Sequence, residues 1–492
     1  MTEPNPADIA SLFVPTPDDV IETHISRVFL TGDRAWKLKK AVALPYVDFS
    51  TLEKRRIACE REVALNRRTA PQLYLGCRAV YRDAMGGLSF DPQGAAIEWL
   101  VEMRRFDARK TLDRLLADGA ATPAMITALA ADIAAFHARA EIVEREAEDM
   151  VSQTIALNDA AFANLPPGAL PSEAFAEFHA AQQAEMERRR SLLARRRADG
   201  RMRYGHGDLH LRNIAVIDGH PVLFDCLEFD DDLAAVDIMY DLAFLLMDLV
   251  QQQRGDLANL ALNTWLEAMP DDAGVALLPL YVALRAAIRC HIAALTDVGR
   301  GDAARYLALA RQALNQPAPR LILVGGLSGT GKTTLARALA HEFGGPCGAV
   351  ILRSDTIRKA LHNVPALQRL PQDSYTPESS RHVYAVLLER ARILLQAGAS
   401  VILDAVYGKP EEREAAAALA REMNCRCDGL WLTADPEVLT ARVAARRGDA
   451  SDATEEVVRW QLQHLSPPAD WKTVDAGAGP RETLRRAKAA LV

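Results

Sequence analysis

A glycine-rich segment in the second half of the chain has the residue types of a phosphate-binding loop. Residues 326–333 match the pattern G-x-x-x-x-G-K-[ST] without a departure. In such a loop, backbone N–H groups surround phosphate oxygens, the lysine reaches the β- and γ-phosphates, and the last hydroxyl ligates Mg²⁺. An apolar run precedes the segment and a helical pattern follows it, which is the context that the motif requires. We therefore predict a nucleoside triphosphate site formed by Gly326, Ser328, Gly329, Thr330, Gly331, Lys332, Thr333 and Thr334.

Polar residues that follow two other apolar runs could complete this site. Asp404 ends one run, so its carboxylate should emerge at the carboxyl end of a strand, where it can hold Mg²⁺ or a water bound to it. Asp355 and Arg358 follow another run in the order Asp-x-x-Arg. A carboxylate there can take the proton of an acceptor hydroxyl, and the arginine can bind an anionic group. The structural alternatives are a strand-end cap for Asp404 and a salt bridge between Asp355 and Arg358.

Arginines on one predicted helical segment could stabilise the transferring phosphoryl group, with a solvated helix face as the alternative. The segment holds Arg442, Arg446 and Arg447. With the phosphate loop, the Asp-x-x-Arg pair and the strand-end aspartate, residues 320–492 resemble P-loop kinases of small molecules and nucleic-acid ends. These kinases include gluconate kinases, chloramphenicol phosphotransferase, zeta toxins and polynucleotide 5′-kinases. The resemblance implies that Asp355 is the acceptor-side base and that Arg442 or Arg446 is the lid arginine.

A second motif lies at residues 206–213, which read H-G-D-x-H-x-x-N. It places Asp208 and Asn213 five residues apart in a loop, and an apolar run then leads to Asp225. Phosphoryl transfer from ATP, as in protein kinases, needs at least three such groups. They are one carboxylate that orients an acceptor hydroxyl, and an asparagine and a second aspartate that hold Mg²⁺.

This motif, with the strand-end aspartate and residues 237–243, resembles the aminoglycoside phosphotransferase and choline kinase family over about residues 20–312. The resemblance implies a bilobal, protein-kinase-like fold. Asp208 would then be the catalytic base, Asn213 and Asp225 the metal ligands, and Asp241 a structural carboxylate that steadies the loop.

The same resemblance implies an N-terminal strand lysine that contacts the α- and β-phosphates, and a helix glutamate that orients it. Lys37 and Lys39 point to one face of the predicted strand 34–39. We favour Lys37 over Lys39 because the small Ala35 leaves room for an adenine ring. The expected partner is Glu62, with Glu60 as the alternative.

The elements that position these residues differ between the two halves of the chain. Apolar runs at 321–324, 349–352, 401–403 and 430–432 alternate with helical patterns, which predicts a parallel α/β sheet. In the first half, residues 28–30 and 35–39 flank a turn and predict a hairpin. We place a kinase domain at 1–315, with an N-lobe at about 20–102 and a C-lobe at about 103–315, a linker at 316–320 and a P-loop kinase domain at 321–492. The expected class is mixed α/β and α+β.

Composition excludes several other classes of protein. The 492 residues carry a net charge of −7, which argues against nonspecific binding to nucleic acids or anionic membranes. Seven scattered cysteines do not form a disulfide framework. The N-terminus has no signal-peptide pattern, and the most apolar stretch, 238–250, is too short to span a bilayer. We expect a cytoplasmic protein.

Together the motifs predict a two-domain phosphotransferase with two sites, each using ATP and Mg²⁺ and transferring the γ-phosphate to a hydroxyl of a small molecule. Two alternatives stay open. One is a regulatory or sensor ATPase whose kinase-like half only binds a ligand. The other is a kinase of nucleic-acid 5′ ends.

Overall fold

The computed structural model describes residues 9–13, 17–44, 47–82, 85–92, 94–228, 230–296 and 299–491. The chain divides into two units. The first unit combines Met1–Thr154 with Leu193–Leu245, and the second combines Ile155–Leu192 with Leu246–Val492.

The strands are β1 (Asp19–Glu22), β2 (Ser26–Thr31), β3 (Arg34–Lys39), β4 (Ala43–Leu44), β5 (Val47–Asp48), β6 (Tyr74–Arg82), β7 (Leu88–Ser89), β8 (Glu98–Arg104), β9 (Met202–Tyr204), β10 (Ile214–Ile217), β11 (His220–Leu223), β12 (Ala235–Asp237), β13 (Arg320–Gly326), β14 (Val350–Arg353), β15 (Val401–Asp404), β16 (Arg426–Thr433) and β17 (Lys472–Asp475). The α-helices are α1 (Leu52–Asn66), α2 (Leu112–Ala117), α3 (Pro123–Arg139), α4 (Ala147–Ala163), α5 (Ser172–Arg196), α6 (Asp231–Ala234), α7 (Ile238–Gln251), α8 (Gly255–Ala268), α9 (Leu278–Ala294), α10 (Arg300–Leu314), α11 (Lys332–Ala340), α12 (Ser354–Leu361), α13 (Pro377–Gln396), α14 (Pro410–Glu422), α15 (Pro436–Ala445), α16 (Glu455–His464) and α17 (Pro480–Leu491).

A six-stranded antiparallel sheet in the first unit has the order β1-β2-β3-β8-β6-β7. The predicted hairpin is confirmed, since β2 and β3 pair Thr31 with Arg34 across a two-residue turn. Helix α1 starts at the N-cap Thr51, whose hydroxyl accepts from the backbone N–H of Lys54 at 3.3 Å. Its buried face packs against the sheet and directs Glu62 towards β3.

A short hairpin, β10–β11, follows the predicted catalytic loop. Its two turn residues, Asp218 and Gly219, have φ values of +52° and +83°, which suit the primed turns of two-residue hairpins. The hairpin ends just before Asp225, so the loop and this aspartate lie at the same end of the two strands.

A five-stranded parallel sheet in the second unit has the order β14-β15-β13-β16-β17. Helices cover it, and the core contains Ile322, Val324, Ile402, Leu430 and Leu432, all with no exposed surface. The predicted parallel α/β sheet and the mixed α/β content are confirmed. Because the carboxyl ends of parallel strands meet at one edge, the phosphate loop and Asp404 lie close together.

The same unit holds the apolar helical segment Gly274–Ala294. By length and composition this segment could cross a membrane, although 72% of its most apolar 18-residue window is buried inside the protein. Core helices of soluble proteins pass the same test.

Candidate phosphoryl-transfer sites

Two lysines on β3 meet one buried glutamate on α1. Lys37 Nζ donates to Glu62 Oε1 at 2.8 Å, and Lys39 Nζ donates to Glu62 Oε2 at 2.7 Å. Each lysine has a second carboxylate partner, since Lys37 also donates to Asp225 at 2.9 Å and Lys39 to Glu228 at 2.7 Å. The structure therefore joins the predicted lysines and glutamate in one ion-pair cluster.

The two lysines differ in depth. The Lys39 side chain has no exposed surface, whereas Lys37 is 14% exposed and its partner Asp225 is 42% exposed. Burial alone would lower the pKa of Lys37, but the charges of Asp225 and Glu62 raise it well above its ordinary value. Burial alone would raise the pKa of Glu62, but the two ammonium groups lower it. Glu60, the alternative partner, is 47% exposed on the outer face of α1.

The predicted catalytic loop is held by side chains of its own unit. Asn213 Nδ2 donates to Asp208 Oδ2 at 2.9 Å, which brings the proposed base and a proposed metal ligand together. The buried Asp241 carboxylate accepts from the backbone N–H groups of His206 at 2.7 Å and Gly207 at 3.0 Å. Asp241 therefore fixes the loop in the way expected of a structural carboxylate.

Asp225 has a backbone conformation that is uncommon for residues other than glycine, with φ at +60°. Its N–H donates to the Tyr74 hydroxyl at 3.2 Å, and the N–H of Cys226 donates to Asn66 Oδ1 at 2.8 Å. These hydrogen bonds hold the strained turn, so that the Asp225 carboxylate reaches Lys37.

The phosphate loop of the second unit requires glycine at two close approaches. A Cβ on Gly329, where φ is +87°, would lie 2.6 Å from the backbone oxygen of Leu439. A Cβ on Gly326, where φ is +133°, would lie 2.6 Å from the backbone oxygen of Leu432. Gly331, with φ at +89°, is the N-cap of α11, which begins at Lys332 and carries Thr333 and Thr334 in its first turn. The loop therefore presents a helix N-terminus, which favours anions.

Side chains within and beside the loop set its conformation. Thr330 Oγ1 donates to the Leu327 oxygen at 2.7 Å, and Lys332 Nζ donates to the same oxygen at 2.9 Å. The N–H of Ser328 donates to Oε1 of the buried Gln461 at 2.8 Å.

A hydroxyl and a carboxylate meet at the carboxyl edge of the parallel sheet. Thr333 Oγ1 donates to Asp404 Oδ2 at 2.6 Å. Arg353, the last residue of β14, donates to Asp404 at 3.4 Å, to Thr333 at 3.3 Å and to Asp449 at 3.3 Å. The two residues predicted to hold the metal are thus in contact, and the buried Arg353 balances the charge of Asp404.

Burial shifts both of the titratable groups expected to act here. It raises the pKa of Asp355, and the negative charge of Asp404 raises it further, against the opposing charges of Arg353 and Lys332. Burial lowers the pKa of Lys332, although Asp404 and Asp355 oppose that shift. A raised carboxyl pKa suits a general base, because proton affinity rises with pKa.

The three remaining predicted arginines lie in different environments. Arg358 is buried, and its guanidinium donates to the backbone oxygen of Ser374 and to the hydroxyls of two further serines. Arg442 donates to the Ala476 oxygen at 3.0 Å. Among the described residues, the buried Nη1 of Arg446 has no hydrogen-bond partner, and its charge acts on Lys332. The charge of Arg446 therefore reaches the phosphate loop, and the roles of all three arginines stay predictions.

Sequence reasoning missed Arg353 and Gln461, which contact the second site, and it did not identify Glu228 as the partner of Lys39. Arg353 had a usable signal, since it ends an apolar run, as Asp404 does, and the two residues pair in register on neighbouring strands. Gln461 lies inside α16, and Glu228 lies in a loop, so no spacing rule identifies their partners.

The oxygen atoms of the predicted metal ligands fit Mg²⁺. Thr333 and Asp404 in one unit, and Asn213 and Asp225 in the other, offer hydroxyl, amide and carboxylate oxygens. Within the described ranges, no group of three or more His, Cys, Asp and Glu is arranged as a metal site. Mg²⁺ at kinase sites is typically held by one or two carboxylates together with substrate phosphates and waters, so such a group is not required.

Two family models match the chain. Residues 34–278 match the "Phosphotransferase enzyme family", and residues 321–468 match an "AAA domain". The two matches confirm that the first part resembles the aminoglycoside phosphotransferase type and that the second is a P-loop kinase domain.

Known proteins are similar to the whole chain or to its parts. An uncharacterized protein of Mycobacterium tuberculosis (strain H37Rv) is 35% identical over 480 residues, which cover 94% of this chain and 93% of that protein. A solved sugar kinase from Janibacter sp. HTCC2649 is 25% identical over 35% of this chain and 94% of its own, with a TM-score of 0.28. A choline/ethanolamine kinase family protein from Mesorhizobium loti is 13% identical over 61% of this chain and 88% of its own, with a TM-score of 0.39.

The relative from Mycobacterium tuberculosis is matched along nearly its full length, and this likeness shows the family. The two family models show that the chain is an ATP-dependent kinase by class. The chain belongs to the family of that mycobacterial protein, and it joins a phosphotransferase-family domain to an AAA-type P-loop kinase domain.

Proposed function

We propose that both halves of the chain catalyse phosphoryl transfer, each moving the γ-phosphate of ATP to a hydroxyl group of a small molecule. One feature supports this most strongly: each unit, by itself, contains a lysine, an aspartate suited to metal binding and a further aspartate that can act as base. In the first unit these are Lys37, Asp225 and Asp208, and in the second they are Lys332, Asp404 and Asp355.

In the first unit, Asp208 would accept the proton of the acceptor hydroxyl. The acceptor oxygen then forms a bond to the γ-phosphorus while the bond to the ADP oxygen breaks. Lys37, held by Glu62, would bind the α- and β-phosphates and offset their charge. Asn213 would keep Asp208 in position through their 2.9 Å hydrogen bond.

In the second unit, Asp355 would accept the proton, and Lys332 would contact the β- and γ-phosphates. The raised pKa of Asp355 makes it a stronger base than an exposed aspartate, while the loop amides bind the phosphates. Asn213 and Asp225, and separately Thr333 and Asp404, would hold Mg²⁺. Mg²⁺ held there would supply positive charge that offsets the negative charge developing on the transferring phosphoryl group.

A small molecule is a better acceptor for the second unit than a nucleic-acid end. Arg358, the residue that could bind a terminal phosphate, is buried, and its guanidinium already donates to Ser374, Ser379 and Ser380. The net charge of −7 also opposes attraction of a polyanion. We also propose the linker at 316–320, since residues 315–319 lie outside helix and strand, while Arg320 already begins β13.

The test separates the two sites. The full-length protein is incubated with ATP, Mg²⁺ and a cell metabolite extract, and new phosphorylated masses are measured for the wild type and for Asp208→Ala and Lys332→Ala. Asp208→Ala removes a general base, which lowers a rate roughly 100- to 10,000-fold, and Lys332→Ala removes the contact to the β- and γ-phosphates, so each variant should lose a different product. The controls are Asp118→Ala and Lys488→Ala, which change exposed residues of the same types.

Three outcomes would contradict the proposal. If ATP is hydrolysed and no acceptor is phosphorylated, the interpretation of the chain as a sensor ATPase is correct. If a labelled oligonucleotide is the substrate that responds to Lys332→Ala, the 5′-end kinase is correct. If neither variant lowers any transfer, the chain does not have two active sites.

A further inference from the structure

A cavity of about 520 Å³ lies within the second unit, between α8 and the edge strand β14 with its following helix α12. Helix α8 belongs to the segment matched by the phosphotransferase family model, and α12 belongs to the AAA match. Neither matched segment forms this cavity alone. Lys332, Asp355 and Arg358 are absent from the described residues that line it. Arg353 forms part of one wall and also contacts Thr333 and Asp404, so the cavity adjoins the proposed phosphoryl-transfer site without including its predicted catalytic residues.

The contact that forms the cavity is specific. Asn263 Oδ1 accepts from the N–H of Ile351 at 2.7 Å, and Asn263 Nδ2 donates to the Ala349 oxygen at 3.1 Å. Asn259 Nδ2 donates to the same oxygen at 2.9 Å and to that of Cys347 at 2.8 Å. Two side-chain amides of α8 therefore form hydrogen bonds with backbone groups at and before the edge strand β14. These bonds hold the two walls of the cavity at a fixed separation.

The walls combine apolar surface with an excess of positive charge. Aliphatic side chains of β14, α12 and α8 form much of the lining. Four cationic residues face two carboxylates there: Arg337, Arg353, Lys359 and Arg390 against Glu267 and Asp272.

Ion pairing leaves one of these cations available at the rim. Arg390 and Asp272 neutralise each other through two hydrogen bonds of 2.7 and 2.8 Å. Arg353 contacts Asp404 and Asp449, and Lys359 pairs with Asp452. Arg337 is exposed at the rim, and within the described part of the chain it has no salt-bridge partner.

We propose that this cavity is a binding site for a small molecule with an apolar body and a single anionic group, the anion bound by Arg337 and the body by the aliphatic walls. An apolar cavity of several hundred Å³ with a few placed polar groups is the usual form of a small-molecule site. The charge excess selects an anion, while Glu267 at the rim opposes a molecule with more than one negative charge.

The test uses a pair of dyes that differ in one group. 1-Anilinonaphthalene-8-sulfonate has an aromatic body and one sulfonate, and N-phenyl-1-naphthylamine has the same body without charge. Both are titrated by fluorescence into full-length protein saturated with Mg²⁺ and a non-hydrolysable ATP analogue, which occupies the nucleotide sites.

The variants test the apolar walls and the cationic residue separately. Ala360→Trp fills the cavity from an exposed helix position and should abolish binding of both dyes at this site. Arg337→Gln should weaken the sulfonate dye about fivefold and leave the neutral dye unchanged, and Glu267→Gln should tighten the sulfonate dye. The matched controls, Ala308→Trp and Arg305→Gln, change exposed residues on α10 and should alter neither dye.

Three results would overturn the proposal. They are no binding of the sulfonate dye to the nucleotide-saturated wild type, equal binding by Ala360→Trp and the wild type, and an equal effect of Arg337→Gln on both dyes. Thermal unfolding of each variant is measured alongside, and Arg337→Gln and Glu267→Gln change exposed side chains, so the charge comparison does not depend on the fold of Ala360→Trp.

Discussion

Replacing Glu62 by glutamine tests the ion-pair cluster of the first unit, because it removes a charge and changes little in shape. Glu62 has no exposed surface and accepts one hydrogen bond from each of Lys37 and Lys39. A glutamine can still accept from one lysine. Its NH₂ group would face the other ammonium, where a donor meets a donor.

The expected loss of stability depends on the carboxylate partner that each lysine retains. Removing one partner of a buried pair costs about 3–5 kcal/mol when the other charge is left uncompensated. Here Lys37 keeps Asp225 and Lys39 keeps Glu228, so the loss is closer to one charge-assisted hydrogen bond, about 2–3 kcal/mol. Glu60→Gln on the same helix is the matched control. Glu60 is 47% exposed and pairs with Arg56 at the surface, so this change should cost less than about 0.5 kcal/mol.

The assay measures the region concerned rather than the whole chain. Urea unfolding at pH 7 is followed by hydrogen-exchange mass spectrometry of peptides from Leu52–Asn66, whose midpoint reports the free energy of unfolding of α1. We expect Glu62→Gln to lower that midpoint clearly and Glu60→Gln to leave it nearly unchanged. The difference should shrink in acid: the pKa of Glu62 is lowered, so its stabilisation is complete above the ordinary carboxyl pKa and is lost as pH falls through the lowered one. Equal midpoints for the two variants at pH 7 would refute the reasoning.

Three further predictions concern the second unit. Asp355→Asn should lower the phosphotransfer rate roughly 100- to 10,000-fold. Because burial and the charge of Asp404 raise the pKa of Asp355, the wild-type rate should fall with decreasing pH above the ordinary aspartate range, and Asp404→Asn should move this limb to lower pH in single-turnover profiles. Thr333→Val removes the hydroxyl that contacts Asp404, so calorimetry should show ATP binding about tenfold or more weaker with Mg²⁺ and little change without it. Gly329→Ala forces a Cβ to within 2.6 Å of the Leu439 oxygen, so it should abolish ATP binding in the same calorimeter, unlike Gly119→Ala, where φ is also positive but no atom lies within 4 Å.

Much of the parallel sheet could be predicted because its strands are buried on both faces. The runs at 321–324, 349–352, 401–403 and 430–432 are continuously apolar, and each lies within a strand or overlaps one. The antiparallel sheet was harder to predict. Strand β6 mixes buried, partly buried and exposed residues without clean alternation, and its pairing with β8 depends on contacts between distant parts of the chain. The division into units also depends on contacts between distant parts of the chain. Helices α8–α10 belong to the unit of the P-loop domain, although they precede the predicted linker.

Motif spacing located the groups that bind phosphate and metal, but it could not identify their countercharges. The contact between Thr333 and Asp404 follows from two motifs at the carboxyl edge of one sheet. The buried Arg353 beside them belongs to neither motif, and its role depends on the register that aligns β14 with β15. Such residues are selected by the need to balance buried charge, which has no fixed spacing in the sequence.

Strand alternation correctly places Lys37 and Lys39 on one face, and depth then assigns them different tasks. Lys39 is fully buried between Glu62 and Glu228 and lies 4.9 Å from the centre of the Phe49 ring, so a phosphate could reach it only by displacing packed side chains. Lys37 borders solvent beside the 42% exposed Asp225, where a triphosphate and its metal can enter. The two lysines share Glu62, so the inner pair fixes the glutamate and the glutamate positions the outer lysine for ATP. Lys39 thus supports Glu62, and Lys37 is the nucleotide contact that we propose.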